Sequence, residues 1–504
     1  MTLQSTTCLL LAAISTTAAA ELETNNPLHL TPDATYYKML PAGNGGVIAL
    51  GEIKDASNKT DIGISRITPD MSTAWTQVLS GTNGQNDWLL DACSMNDGSF
   101  VVLSRIEDED DAGWIDRKLV IAKFTSDGVL QWSSSFDDSG LTGSWESPHK
   151  ARLAVGPDGR ICMVENILYE SLQVRSLASN GQLQWTHSVD NLEFGTEMAL
   201  SIEMNAAGDT LIGGLFSHQG DTPDAGHFYT SLSSSGSVNW TQYISPEGFG
   251  LSELSFINVD SEGNWITSGT LSGGSWIGSA YAARLTPAGT LDWMTHYVSP
   301  EDNSMMVMDT ELTNDDELVL GGFCWSPLRG VFSMKIDKNG AINWVNENQL
   351  LLGDDDHTIR SIAVHDDGRI EMAGSYNQLT DDGNDRMQLS VTMSKDGNVT
   401  DISTWNPSAD ADSNNDVVVD SQDQIYTCGQ ANTTGVAFQF EGSVMRINSC
   451  PADVSGDDNV TVTDLLMMLA AYGTDHSGAD LNNDGMVDVS DVLIILDNWN
   501  GCTA

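Results

Sequence analysis

Two twelve-residue stretches near the C-terminus space oxygen-bearing side chains as a hard divalent cation requires. The second reads Asp480-Leu-Asn482-Asn-Asp484-Gly485-Met486-Val-Asp488-Val-Ser-Asp491. Side-chain oxygens fall at positions 1, 3, 5, 9 and 12, Met486 supplies its carbonyl at position 7, and Gly485 makes the sharp turn at position 6. The first reads Asp453-Val-Ser455-Gly-Asp457-Asp458-Asn459-Val-Thr461-Val-Thr-Asp464, the same frame with Asp458 in the glycine place. Calcium takes roughly six to eight oxygens, so each loop predicts one ion, two Ca²⁺ in all. Asp458 resists a left-handed backbone more than glycine does, which predicts weaker binding in the first loop.

The loops start 27 residues apart, and each is followed by an apolar run that predicts a short helix. Leu465 to Tyr472 ends at Gly473, a natural C-cap, and Val492 to Leu496 runs on toward Trp499. From Cys450 to the end there are ten Asp and no Glu, Lys or Arg. The spacing is that of an EF-hand loop. Aspartate at position 12 of both loops, with the loop-then-helix duplication over residues 451–500, resembles a type I dockerin. The resemblance implies a small all-α calcium-binding dockerin domain over 450–504 that plugs into a cohesin-type protein. It further implies that Val462, Thr463, Val489 and Ser490, at the helix starts, face the cohesin. A dockerin brings its ends together, so the resemblance also implies a clasp between Cys450 and Cys502. Such a closure contributes about 4 kcal/mol in the chain-entropy view. Cys93, Cys162, Cys324 and Cys428 have no assigned pairing.

Elsewhere the usual chemistry is missing. The chain has no GxSxG elbow, HExxH, P-loop or CxxC, and its nine His are scattered without ligand spacing. Acid clusters at Glu107–Asp111, Asp354–Asp356 and Asp410–Asp416 read as solvated loops between repeats; the last alternates oxygens as a cation loop does, without the glycine turn. A glycosidase needs only two carboxylates at a set separation, and 71 acids neither exclude nor locate that pair. Charge excludes more. The 21 Lys and Arg against 71 Asp and Glu leave a net charge of −50, which argues against nucleic acid and against anionic membrane surfaces.

A repeat of about fifty-four residues sets the elements that position everything before residue 450. One phrase, apolar–turn–apolar–Gly, recurs as MLPAGNGGVIALG, IEMNAAGDTLIGG, INVDSEGNWITSG and IAVHDDGRIEMAG among others, its turn falling at Gly45, Gly98, Gly159, Gly208, Gly263, Asp316, Gly368 and Asp423. A second phrase, as in RSLASNGQLQW and ARLTPAGTLDW, puts Trp four residues after Gly: Trp75, Trp132, Trp185, Trp240, Trp293 and Trp344. The seventh copy has Asp401 in the Trp position, and the first lacks the Gly. Each unit predicts four short alternating strands, with the Trp in the core between neighbouring sheets. Sheets of this kind bury both faces only when packed radially.

The units resemble the bacterial β-propeller repeats called SBBP, over about residues 25–449. The expected fold is therefore all-β: a propeller over residues 21–449, eight blades favoured over seven. The eighth unit lacks its fourth strand, and the segment around Leu28 to Leu30 lacks a unit of its own, so it is expected to close the ring.

Residues 1–20, an apolar run ending Ala18-Ala19-Ala20, read as a secretory signal, although without Lys or Arg in its first residues. No later stretch reaches the ~18 apolar residues of a membrane span. These features predict a secreted or cell-surface protein. The propeller is then a binding or scaffold module carried on the dockerin. The alternative, by association with dockerins, is a polysaccharide-degrading O-glycosyl hydrolase. A quinoprotein dehydrogenase ranks last, because eight-bladed quinoproteins share the Gly-x-x-x-Trp phrase but the adjacent paired cysteines are absent.

Overall fold

The computed structural model describes residues 28–55, 57–81, 85–109, 115–137, 151–167, 171–189, 196–217, 225–244, 249–250, 255–273, 278–326, 329–348, 356–380, 383–406, 412–432 and 440–447, and beyond them 452, 454, 460–474, 479, 481, 486–497 and 499. The signal reading over residues 1–20 and the clasp between Cys450 and Cys502 lie outside these residues.

The fold is an eight-bladed β-propeller of antiparallel four-stranded sheets, with one extra two-residue strand, Phe249–Gly250, in blade 5. In chain order the first strands of the blades are Ala34–Pro41, Trp88–Ser94, Ala151–Val155, Thr196–Met204, Ser255–Val259, Ser304–Leu312, Asp356–Val364 and Ser413–Val419. They pack against one another around the ring and form its innermost layer. Blade 8 takes its outer strand from the other end of the chain: Leu28–Pro32 runs antiparallel to Glu441–Ile447, with Leu28 opposite Met445 and Pro32 opposite Glu441. Both the blade count and the closing strand are as expected from the repeats.

Hydrophobic clusters lie between neighbouring sheets. Leu50, Ile62 and Ile64 of blade 1 meet Val102 and Phe124 of blade 2, and Tyr426 and Val444 of blade 8 meet Tyr36 and Met39 of blade 1. Each fully buried side chain of this size contributes about 1.5–3 kcal/mol.

The two repeated glycines have separate causes. In six inner strands one extra residue bulges out: Tyr37, Leu90, Leu200, Met308, Arg360 and Asn415. In five of those blades the bulge presses an inner-strand carbonyl onto a glycine of the second strand (Gly51, Gly214, Gly322, Gly374 and Gly429), where any Cβ would collide with it. The glycine ending the first phrase is thus the space that a bulge occupies, and bulges re-aim side chains.

The glycine of the second phrase serves the preceding blade. The indole of Trp293 lies over Gly340, that of Trp185 over Gly236, and the same holds for Trp75, Trp132, Trp240 and Trp344. Trp293 Nε1 donates to the Lys338 carbonyl at 3.0 Å and Trp185 Nε1 to the Ser234 carbonyl at 2.9 Å. These Trp are half-buried clamps capping the seam between two sheets, not fully enclosed core residues as their periodicity predicts. The exceptions now make sense. Blade 8 has no such turn after its third strand, so blade 7 carries Asp401 instead of Trp. No Trp lies in Leu28–Pro32 to cover blade 1, whose turn has Met71 at φ 61° in the glycine place. There Arg446 of blade 8 donates to the Pro69 carbonyl at 3.0 Å, the carbonyl position the Trp donors reach elsewhere.

Beyond the propeller the described residues include two helices, α1 (Val462–Ala471) and α2 (Val489–Asp497). They share a small core of Ala452, Val460, Met468, Ala479, Val487 and Ile495. Among the described residues no helix is long and apolar enough to cross a membrane.

Candidate functional site

The inner strands of blades 1, 6, 7 and 8 line a cavity of about 580 Å³. The residue after each bulge turns toward it or toward the next blade. Around the ring this position holds Lys38, Asp91, Ser201, Asp309, Ser361 and Asp416. Its three carboxylates each fasten one blade to the next. Asp91 accepts from the Leu153 N–H at 2.9 Å, Asp309 from Ile362 at 2.9 Å, and Asp416 from Met39 at 2.7 Å. Two residues on, Glu311 does the same for Val364 at 2.9 Å. These N–H groups lie on the free edge of an innermost strand, where an unmet donor costs about 1–3 kcal/mol.

Electrostatics follow from burial and neighbours. Lys38 Nζ lies 2.6 Å from Asp91 Oδ1. Burial opposes the charged form of Asp91, but Lys38 and Arg152 outweigh it and hold the carboxyl below its usual range. Asp309 has no such cation: burial, with Asp416 nearby, pushes it up to about 6. Burial and then Asp309 push Glu311 up to about 8, so it keeps its proton at neutral pH. Burial likewise raises Glu203 to about 7.

Asp309 and Asp416 are the pair that most resembles a hydrolytic dyad. Ser361 Oγ lies 3.1 Å from Asp309 Oδ2 and 2.7 Å from Asp416 Oδ1, so those oxygens are at most the sum, about 5.8 Å, apart. Retaining glycosidases hold their carboxyls about 5–5.5 Å apart. Most of the lone pairs here, however, are committed to donors of the fold. Asp309 also accepts from Thr310 N–H, and Asp416 from Val417 N–H, besides the bonds to the next blade. A nucleophile or acid needs an oxygen aimed at its ligand. The geometry favours blade-to-blade staples.

The Ser279–His296 contact, 2.7 Å, fails as a nucleophile for a related reason. Ser279 is fully buried and its hydroxyl donates to the Leu271 carbonyl at 3.0 Å, away from the imidazole.

Two acid clusters are not the loops their composition predicts. Glu107 is a buried strand residue, 2.6 Å from Arg117 and 3.2 Å from Arg105. Residues 413–416 begin the inner strand of blade 8, so the alternating oxygens there reflect the two faces of a strand and not a coil around an ion. Cys93, Cys162, Cys324 and Cys428 are free thiols in blades 2, 3, 6 and 8.

Of the loop ligands, Thr461, Asp464, Met486, Asp488 and Asp491 are described; Asp453, Ser455, Asp457, Asn459, Asp480, Asn482 and Asp484 lie outside the described residues. Thr461 is the N-cap of α1, its N–H donating to Asp464 Oδ2 at 2.7 Å in a capping box. Asp491 accepts from the N–H of Leu481, at the second position of its own loop, and from that of Asp488, at 2.7 and 2.8 Å. Both closing carboxylates are fully buried and turned back on their loops, which fits the residues that would close a cation shell. Met486 is exposed and Asp488 Oδ1 accepts from Ser490 N–H. Val462, Thr463 and Val489 are exposed and Ser490 is half-buried. Among the described residues no three His, Cys, Asp or Glu gather as a metal site.

The bulge residues at the channel, Tyr37, Met308, Arg360 and Asn415, are the features that sequence reading missed; the second-strand glycines are the signal that marks where they occur.

No family model matches the chain, and no curated protein matches it. Among solved structures it is similar to a eukaryotic initiation factor, at 8% identity over 82% of this chain and 85% of that chain, with a TM-score of 0.43. Drosophila Semaphorin 1b, extracellular domains 1-2, is similar at 10% identity over 86% of this chain and 89% of that one, TM-score 0.42. A prolyl endopeptidase is similar at 12% identity over 80% of this chain and 54% of that one, TM-score 0.44. Likenesses this distant assign no activity, and the propeller stands on its own strand pairing.

Proposed function

We propose that this is an exported binding protein, whose propeller is cargo or scaffold and whose C-terminal segment is a calcium-dependent dockerin that plugs into a cohesin. One observation carries the reading: the 27-residue duplication is repeated in the burial pattern. Ala452 and Ala479, Val460 and Val487, Met468 and Ile495, and Asp464 and Asp491 are pairwise buried. Val462 and Val489, Leu466 and Leu493, and Leu469 and Leu496 are pairwise exposed, at 57 and 58%, 61 and 59%, and 48 and 50%. Two short helices that leave six large apolar side chains in water in matching positions present a surface suited to a partner. The carboxylates that repel one another in each loop would be held by Ca²⁺, which supplies the opposite charge and links loop to helix. A core of six small-to-medium residues is marginal without that link. The commitment of the channel carboxylates to backbone donors of neighbouring blades supports a binding role over hydrolysis.

Calcium titration of the full chain tests the reading, followed by binding to a type I cohesin module. Asp480→Ala is expected to remove the tighter site and Asp453→Ala the weaker. Leu466→Asp with Leu493→Asp is expected to keep calcium and lose the cohesin. Calcium uptake unchanged by both loop substitutions sinks the reading.

A further inference from the structure

One hydroxyl stands between two carboxylates in the channel wall. Ser361 Oγ of blade 7 lies 2.7 Å from Asp416 Oδ1 of blade 8 and 3.1 Å from Asp309 Oδ2 of blade 6. A serine hydroxyl has a single hydrogen to donate, and an ionised carboxylate has none. The shorter contact takes the serine hydrogen, so Ser361 donates to Asp416. The 3.1 Å contact is then two oxygens with no hydrogen between them, unless Asp309 supplies one.

The surroundings leave Asp309 as the group to supply it. Among the described residues every other donor at the two carboxylates is a backbone N–H: Thr310 and Ile362 at Asp309, Val417 and Met39 at Asp416. Among the same residues neither carboxylate forms an ion pair; Lys38 is 2.6 Å from Asp91, and Arg360 is held by Asn415 Oδ1 at 3.3 Å. Burial raises both acids. At Asp416 the Met39 N–H, the Ser361 hydroxyl and then Lys38 oppose the rise, whereas at Asp309 the neighbouring Asp416 adds to it.

Other ionisable groups nearby are neutral or engaged elsewhere. Burial and then Asp309 keep Glu311 protonated up to about 8. On the strands packed against Ser304–Leu312, Arg284 pairs with Asp260, Lys335 with Glu317 and Tyr281 with the Tyr229 hydroxyl. His357 stacks on Tyr376, and Cys324 is buried in the cluster between blades 5 and 6.

We propose that in mildly acidic medium the inner layer holds one exchangeable proton in a directed chain, Asp309 carboxyl to Ser361 hydroxyl to Asp416 carboxylate, and that this chain is a pH-sensitive clasp across blades 6, 7 and 8. As pH rises, the Asp309 O–H bond breaks and the proton leaves to water through the cavity that all three residues line. Two charged carboxylates then remain, their facing oxygens at most about 5.8 Å apart, with one hydroxyl hydrogen between them. The same carboxylates accept from Ile362 and Met39, so the change of charge acts on the joint between blades 6 and 7 and on that between 8 and 1, where the ring closes. The inference rests on the propeller alone and stands whether or not the C-terminal segment binds calcium.

Infrared difference spectroscopy of the full chain, titrated from acid to neutral pH, reads the proton directly. A protonated-carboxyl band is expected that bleaches with a midpoint of about 6, is absent from Asp309→Asn and persists in Asp416→Asn. Ser361→Ala should move that band to higher frequency, because the acid loses its acceptor; a serine that only fills space would leave it unmoved. Amide exchange in Asp356–Val364, corrected for its intrinsic pH dependence, reads the clasp. Asp309 titrates at about 6 when folded and about 3.9 when unfolded, so its stabilisation is complete below the unfolded value and lost as pH rises through the folded one. The opening constant should therefore rise about tenfold between pH 5 and pH 7, and stay flat in Asp309→Asn. Unfolding midpoints identify variants that remain folded; if Asp309→Asn does not fold, the Ser361→Ala shift and the exchange of the unaltered chain still decide. The proposal is overturned if folded Asp309→Asn keeps every protonated-carboxyl band, which leaves Ser361 sharing one hydrogen between two charged acids. It is equally overturned if the band belongs to Asp416, if Ser361→Ala leaves it unmoved, or if exchange shows no pH dependence beyond the intrinsic one.

Discussion

Gly340→Ala should cost much more than Gly263→Ala, although both glycines sit in hairpin turns at nearly the same positive φ, +86° and +81°. A methyl group in the left-handed region costs about 1–2 kcal/mol at either site. At Gly263 nothing lies within 4 Å of the new Cβ, so that strain is the whole effect. At Gly340 the Cβ would stand 2.8 Å from Trp293 Cδ2, and the indole must move. Moving it gives up the 3.0 Å bond to the Lys338 carbonyl, about 1 kcal/mol, and part of its packing on the cluster between blades 5 and 6, about 1 kcal/mol more. The expected totals are about 3–4 kcal/mol for Gly340→Ala and about 1–2 for Gly263→Ala. If the indole causes the difference, Gly340→Ala made in a Trp293→Ala background should fall to about 1–2 kcal/mol. Urea unfolding of the four members of the cycle measures this as a coupling of about 2 kcal/mol. A coupling below about 0.5 kcal/mol would refute the clamp and return the Trp–Gly phrase to a within-blade motif.

Two further outcomes follow from the ring closure and from a buried histidine. A chain beginning at Ala34 loses the strand paired with Glu441–Ile447, so amide exchange in that strand should accelerate while blades 3 to 5 stay protected; uniform exchange across all blades would argue against local closure. His365 lies 3.4 Å from Glu371 and 2.5 Å from Asp423 of the next blade. Burial opposes its charge, but the hydrogen bonds to those acids outweigh it and raise its pKa. Its contribution is therefore complete below the unfolded value near about 6.5 and is lost as pH rises through the folded one. His365→Gln should destabilise clearly at pH 5.5 and little at pH 9, as read by unfolding midpoints; an equal effect at both would count against it.

The architecture was legible because the repeat carries it in local chemistry. Turn residues and alternating strands mark each blade, and the missing fourth strand of unit eight points to Leu28–Pro32. The partners inside the phrases were not legible. Gly and Trp sit four residues apart in one phrase, yet each contacts a neighbouring blade, and only packing across sheets reveals that Trp293 covers Gly340 and not Gly289. The same limit hid the channel. Asp309, Ser361 and Asp416 are far apart in sequence, and only the innermost layer of a closed ring brings them together. Asn414 and Asp416 illustrate the reverse error: their composition read as a solvated loop, whereas they stand on either side of a bulge in a strand. In the C-terminal segment the 27-residue period was plain from ligand spacing, and its matching in the burial of Asp464 and Asp491 needed the helices.

The seam in blade 8 also decides how the molecule carries load. A protein held by its C-terminal segment against flow or a moving partner feels tension where the chain leaves the propeller, at Ile447. That strand is not at a sheet edge. Its residues pair with Ile425–Ala431 along one side and with Leu28–Pro32 along the other, so tension is shared between two rows of bonds. Arg446, beside the exit, adds a tie to the Pro69 carbonyl of blade 1. The earliest strand of the propeller thus braces the last, so that a pull on the chain at Ile447 meets two rows of bonds and not a free margin.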